Sequence, residues 1–92
     1  MKIRVKNMTS PRSLREVTNQ FIIFTNKGRY FQSYRSIIAF VPYGEGKTIL
    51  DEKFWNWSRT TSKYRNKFLG EYIEETRQKI ADGVYELANL NT

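Results

Sequence analysis

An α+β domain is what this sequence predicts: a small, mostly antiparallel sheet of four to five strands with two helices packed on one face. Three observations predict it. The first half is made of β-rich runs broken by turn residues. Beyond Asp51 the apolar spacing changes to that of amphipathic helices. A last short β-rich run, "VYEL", follows the second helix. Strands, then helices, then a strand is an order that gathers the helices on one side of the sheet. At 92 residues the chain has the size of a single domain, 1–92, in which residues 1–18 read as a basic and partly mobile lead-in.

Taken in order, "KIRVK" alternates apolar and basic residues with Ile3 and Val5 on one side, the period of a half-buried strand. "NMTSPRSLRE" breaks that period at Ser10-Pro11 and reads as a loop carrying Arg12 and Arg15. Two β-rich runs, Gln20 to Thr25 and Arg29 to Tyr34, flank Asn26-Lys27-Gly28, a hairpin in which Gly28 can supply positive φ. "SIIAFV" follows a bend at Tyr34-Arg35-Ser36; it is apolar on both faces and so is expected to be central or covered. "PYGEGK" is a turn, and "TILD" a short returning strand.

Ser58 or Thr60 can cap the next element. On a helical wheel Thr61, Tyr64, Phe68 and Tyr72 gather on one side, and Arg59, Ser62, Lys63, Asn66 and Lys67 on the other. Gly70 is placed to end that helix. "YIEETRQKIADG" makes a second one, burying Ile73 and Ile80, laying Arg77 along the edge and stopping at Gly83. Phe54, Trp57, Tyr64 and Phe68 are expected in the core, because a chain this short has little apolar volume to spare.

Composition excludes several chemistries. Without cysteine or histidine there is no disulfide framework, no thiol nucleophile, no Cys/His zinc site and no Ser-His-Asp triad. Gly44 and Gly46 do not have the spacing of a nucleotide-binding glycine loop. The acids Asp51, Glu52, Glu71, Glu74 and Glu75 read as strand-end and helix-start residues rather than as a metal site. A non-enzymatic protein without cofactors is the expectation. The opening residues lack an apolar leader core and no apolar run is long enough to span a bilayer, so a cytoplasmic location is expected as well.

Charge is the functional signal. Residues 1–44 carry eight Lys/Arg and one acid, while 45–92 carry eight of each. Within the second half, Lys53 to Lys67 holds five bases and no acid. A solvated helix face ordinarily mixes signs into i,i+4 pairs, and this one cannot. A one-signed surface suits an anionic partner, because neutralised phosphates release counterions. The candidate contact residues are Arg59, Ser62, Lys63, Asn66 and Lys67 on the helix, helped by Arg12, Arg15 and Arg35. Tyr34 and Trp55 are the rings best placed for base stacking, with Tyr30, Tyr43 and Trp57 as further candidates. The same features also fit docking onto a host nucleic-acid enzyme as an inhibitor, with rings as anchors, or a small assembly protein.

"FQSYRSIIA", "LDEKFWNWSRTTSKYRNKFLGE" and "ADGVYELANLN" resemble a family of small proteins of unknown function encoded by phages, plasmids and integrative elements of gut and Gram-positive bacteria. The resemblance runs from Asn19 to Asn91, with Ser58 to Gly70 its most specific part. It implies a mobile-element origin and a bacterial host, and it transfers no activity or site residue.

Overall fold

The computed structural model describes residues 3–92. Met1 and Lys2, the start of the first expected strand, lie outside the described residues. The chain is α+β: β1 (Arg4–Thr9), β2 (Glu16–Phe24), β3 (Gly28–Ser33), β4 (Ser36–Pro42), β5 (Ile49–Asp51), α1 (Arg59–Leu69), α2 (Ile73–Ala81) and β6 (Glu86–Ala88). One six-stranded sheet runs in the order β1-β2-β3-β4-β5-β6. The first four pairings are antiparallel, and β5 with β6 is parallel. The sheet is therefore larger than the four to five strands expected, and mixed. The parallel pair follows from topology: strands flanking a helical excursion can run the same way, whereas short turns force antiparallel neighbours.

The core lies between the helices and one face of the sheet. Met8, Phe31, Ile38, Ala39 and Leu50 from the strands meet Tyr64 and Phe68 of α1, with Ile22, Val41, Trp55 and Ile80 packed around them. Phe31 and Phe68 stack at 5.7 Å. A bulge in β4 turns Ile38 and Ala39 both inward, since Phe31 pairs with Ala39 but Gln32 with Ile37.

The first strand departs from expectation in two ways. It continues through Met8 to Thr9, where a loop was expected, and Met8 enters the core. Its faces are also inverted: the Arg4-Lys6-Met8 side turns toward the helices, while Ile3 and Val5 are exposed, Val5 at 62%. The lead-in is thus a paired strand followed by a short loop closed by Leu14 N–H to Ser10 O and Ser10 N–H to Arg15 O. Gly28 is needed for a different reason from the one expected. It lacks positive φ. A Cβ there would sit 2.3 Å from Val41 O and 2.7 Å from the Phe40 ring, so only hydrogen fits.

The opposite face of the sheet has no helix over it. Register aligns Val5, Ile23, Tyr30, Phe40 and Ile49 in one row across five strands, ended by Glu86 of β6. Tyr30 and Phe40 touch within that row, their centroids 4.6 Å apart. The next row holds Asn7, Phe21, Gln32 and Ile37.

Candidate nucleic-acid interface

α1 forms where the wheel placed it. Ser58 is the N-cap, its Oγ accepting from Thr61 N–H at 3.2 Å, and Gly70 closes the helix in the left-handed region at φ 71°. Buried Thr61 shares a 2.9 Å hydrogen bond with Ser33, fastening the N-terminal end of α1 to β3. Tyr64 and Phe68 face the core as expected. Tyr72, assigned to the same stripe, is instead exposed, because the chain turns at Gly70 before reaching it.

Of the wet face, Arg59 and Lys63 stay in solvent, Lys63 lying 5.5 Å above the Tyr64 ring. The other three groups are engaged by the protein itself. Lys67 donates to the carbonyl of Thr9 and, at 3.0 Å, to its hydroxyl, tying the end of α1 to β1. Ser62 donates to Asn56 at 2.7 Å, and Asn66 Oδ1 accepts from Arg65 at 2.9 Å. Ser62 and Asn66, both partly exposed, thus also serve as positioning groups in the fold.

Their shared partner is Arg65, which sequence reasoning passed over. It has no exposed surface, and its guanidinium also donates to the Trp55 carbonyl at 2.8 Å and Asn56 Oδ1 at 3.1 Å. Among the described residues no carboxylate pairs with it. Burial and then the nearby Arg77 favour loss of its proton, with Glu71 opposing, yet an arginine remains charged. Arg65 and Arg77 both lie over the Trp55 ring, at 5.3 and 5.6 Å. Trp55 is thereby packed against the core and is not the open stacking ring expected. Trp57, assigned to the core, takes that place: it is 63% exposed, resting edge-on against Phe54.

Two clefts result, one at each end of α1. The first, about 380 Å³, lies between the β3–β4 turn and the start of α1, lined by Tyr34, Trp57, Ile38 and the hydroxyls of Ser33, Ser58 and Thr60. Tyr34 is 51% exposed and holds φ 56° to make the tight turn, with Arg35 exposed beside it. The second, about 220 Å³, opens between β1 and the last turn of α1 and is lined by Lys6, Arg29, Lys67, Asn7 and Thr9. Arg29 is propped 4.8 Å above the Phe68 ring. Lys6 and Arg29 went unrecognised in the sequence. The signal was the alternation that puts Arg4, Lys6 and Met8 on one side. Among the described residues the ion pairs are those of Lys79 with Glu71 and Glu75, so the three cations of this cleft are uncompensated.

Arg12 and Arg15 are exposed on the loop that follows Thr9. Pro11 of that loop shares a depression with Asn66, Lys67, Glu71 and Glu75, so the basic surface ends there at an acidic rim. No group of His, Cys, Asp or Glu among the described residues could hold a metal ion, and no described helix is long and apolar enough to cross a membrane.

Comparison with curated proteins and with solved structures gives no match. The segment 3–83, which spans β1 through α2, matches a family described only as of unknown function. The chain belongs to that family, DUF8033.

Proposed function

We propose that this chain is a non-enzymatic accessory protein of a phage or other mobile element, working in the bacterial cytoplasm and binding nucleic acid or a nucleoprotein complex along α1. One observation carries the reading: Lys6, Arg29 and Lys67 converge from three elements on one cleft without an acid to neutralise them. Phosphate oxygens are the natural ligands of such a set, with the Thr9 hydroxyl as a neutral partner. Arg59 and Lys63 extend the positive surface along α1. At 1.5 Å per residue the eleven residues of α1 span about 16 Å, several phosphates of a strand. At the far end Tyr34 and Trp57 offer faces on which bases can stack.

Fluorescence anisotropy with labelled single- and double-stranded oligonucleotides tests this. Three phosphate contacts predict roughly a 40-fold loss of duplex affinity between about 50 and 200 mM salt. Lys6→Glu and Arg29→Glu should each weaken binding more than tenfold. Undetectable binding at the lower salt would overturn the proposal. A second reading, inhibition of a host nucleic-acid enzyme, draws on the exposed Trp57 beside Tyr34, an arrangement suited to anchoring in a protein pocket. A host protein retained after nuclease digestion, and lost with Trp57→Ala, would favour it.

A further inference from the structure

The cleft between the β3–β4 turn and the start of α1 differs in kind from the cationic one at the other end of the helix. The residues described around it are all neutral: Tyr34 and Trp57, then Ile38 and Phe54, and otherwise serine and threonine hydroxyls. Its volume of about 380 Å³ and its aromatic lining with a few polar groups are those of a small-molecule site. Tyr34 is held there under strain. It comes first in the two-residue turn between the paired Ser33 and Ser36, and its φ is 56°. Glycine, asparagine and aspartate ordinarily fill such a position, because a bulky side chain is strained at positive φ. Two hydrogen bonds impose it: Tyr34 N–H donates to the Asn19 carbonyl at 2.7 Å, and Gln32 Nε2 donates to the Tyr34 carbonyl at 2.7 Å. Core packing does not account for the ring, which is exposed, and strain of this kind is kept at ligand clamps. Trp57, on the other wall, is exposed as well. Thr61 ties the two walls together, bonded to Ser33 at 2.9 Å and to Ser58 at 3.2 Å.

We propose, resting on the reading of α1 as a nucleic-acid surface, that this cleft receives one unpaired nucleobase and that the nucleic acid along α1 is single-stranded. A paired base keeps both faces inside the stack, so rings on a rigid frame reach a base only when it is unpaired. A phosphate would lose its hydration in a neutral cleft without a charge to replace it. A flat heterocycle instead gains ring contacts and hydrogen bonds at its edge. The Ser33, Ser58 and Thr61 hydroxyls are bonded among themselves, which leaves those of Ser36 and Thr60 for that edge. The phosphates flanking the base find cations beside the cleft. Arg35 follows Tyr34 in the turn, and Arg59 lies between Ser58 and Thr60. Both are exposed, and among the described residues neither is in an ion pair.

Binding to three labelled probes of equal length tests this: a single strand, the corresponding duplex, and a single strand of abasic sugar-phosphate. The abasic strand keeps the charge and lacks the bases. The ordinary single strand should bind about tenfold tighter than the abasic one. It should also bind tighter than the duplex, despite the duplex's higher charge density. Tyr34→Gly should remove this advantage while leaving the circular dichroism spectrum and the salt dependence unchanged, because glycine takes positive φ freely and no cation is touched. Trp57→Ala, at an exposed position, should act alike. Equal affinity for the three probes overturns the proposal and leaves phosphate binding along α1 standing, as does a single-strand advantage that survives both substitutions. Failure of every probe to bind at low salt overturns the nucleic-acid reading and this assignment together.

Discussion

Arg65 occupies a site that elementary electrostatics makes costly, since a buried charge is tolerated only when its hydrogen-bonding capacity is met. Here carbonyl and amide oxygens serve the two terminal nitrogens in place of a carboxylate, and the buried Nε–H is left without a partner among the described residues. Removing the guanidinium would take the donor from the Trp55 carbonyl and from Asn66 Oδ1, leave Asn56 Oδ1 with Ser62 alone, and remove one cation from the Trp55 face. Arg65→Met should therefore lower stability by about 3 kcal/mol in urea unfolding, and Trp55 fluorescence should report the loosened packing. On an ideal wheel Arg65 lies about 60° from Phe68, inside the apolar flank. Its burial was thus legible from angle alone and hidden by its charge. The exchange of Trp55 and Trp57 had no such signal. Both fall in a non-helical turn, where no period says which ring points inward.

Among the elements, α1 was the most legible, because cap, amphipathic period and left-handed glycine agree on its bounds. Ser58 bonds both the free N–H of Thr61 and the Thr61 hydroxyl, which in turn meets Ser33. Ser58→Ala should cost about 1 kcal/mol, measured by thermal or urea unfolding. It should also loosen the Tyr34–Trp57 cleft that this corner frames. β1 was the least legible. Alternation shows that its two sides differ without showing which is inside, and hydrophobicity favoured the Ile3–Val5 side. Met8 and the end of α1 decide otherwise: only the Lys6 side has a helix to meet, and Lys67 fixes it there through Thr9. The helix face was read correctly as one-signed. Its use by the fold was not readable, because Ser62 and Asn66 are claimed by an arginine three residues and one residue away.

At the scale of the molecule, two buried carboxylates hold the helical layer to the sheet. Asp51 accepts from the backbone N–H groups of Leu90, Phe54 and Lys53, joining the turn before α1 to the C-terminal segment. Burial raises its affinity for a proton, but those donors outweigh burial and leave it below the ordinary range. Glu71 behaves alike: burial is opposed by Lys79, Thr76 and Tyr85, and its proton affinity is also lowered. Burial and the same carboxylate push the Tyr85 hydroxyl up to about 12. Because both acids bind protons more weakly folded than unfolded, their contribution is complete above the unfolded values of 3.8 and 4.5. It is lost as pH falls through the lower folded values. Melting temperatures should hold from pH 7 to about 5 and then fall toward pH 2, less steeply in Glu71→Gln, as followed by circular dichroism.

Strand order in the sheet repeats chain order, so each of the first five strands finds its neighbour in the segment just synthesised. β6 alone must wait, separated from β5 by residues 52–85 and both helices. Closing a loop of that length costs chain entropy before any contact repays it. The meander consequently has every reason to assemble first, as a template, with the helical layer and final strand added to it as a late, separable event. A mechanical load on the C-terminus would undo the molecule in the reverse sequence, and the parallel seam would open first.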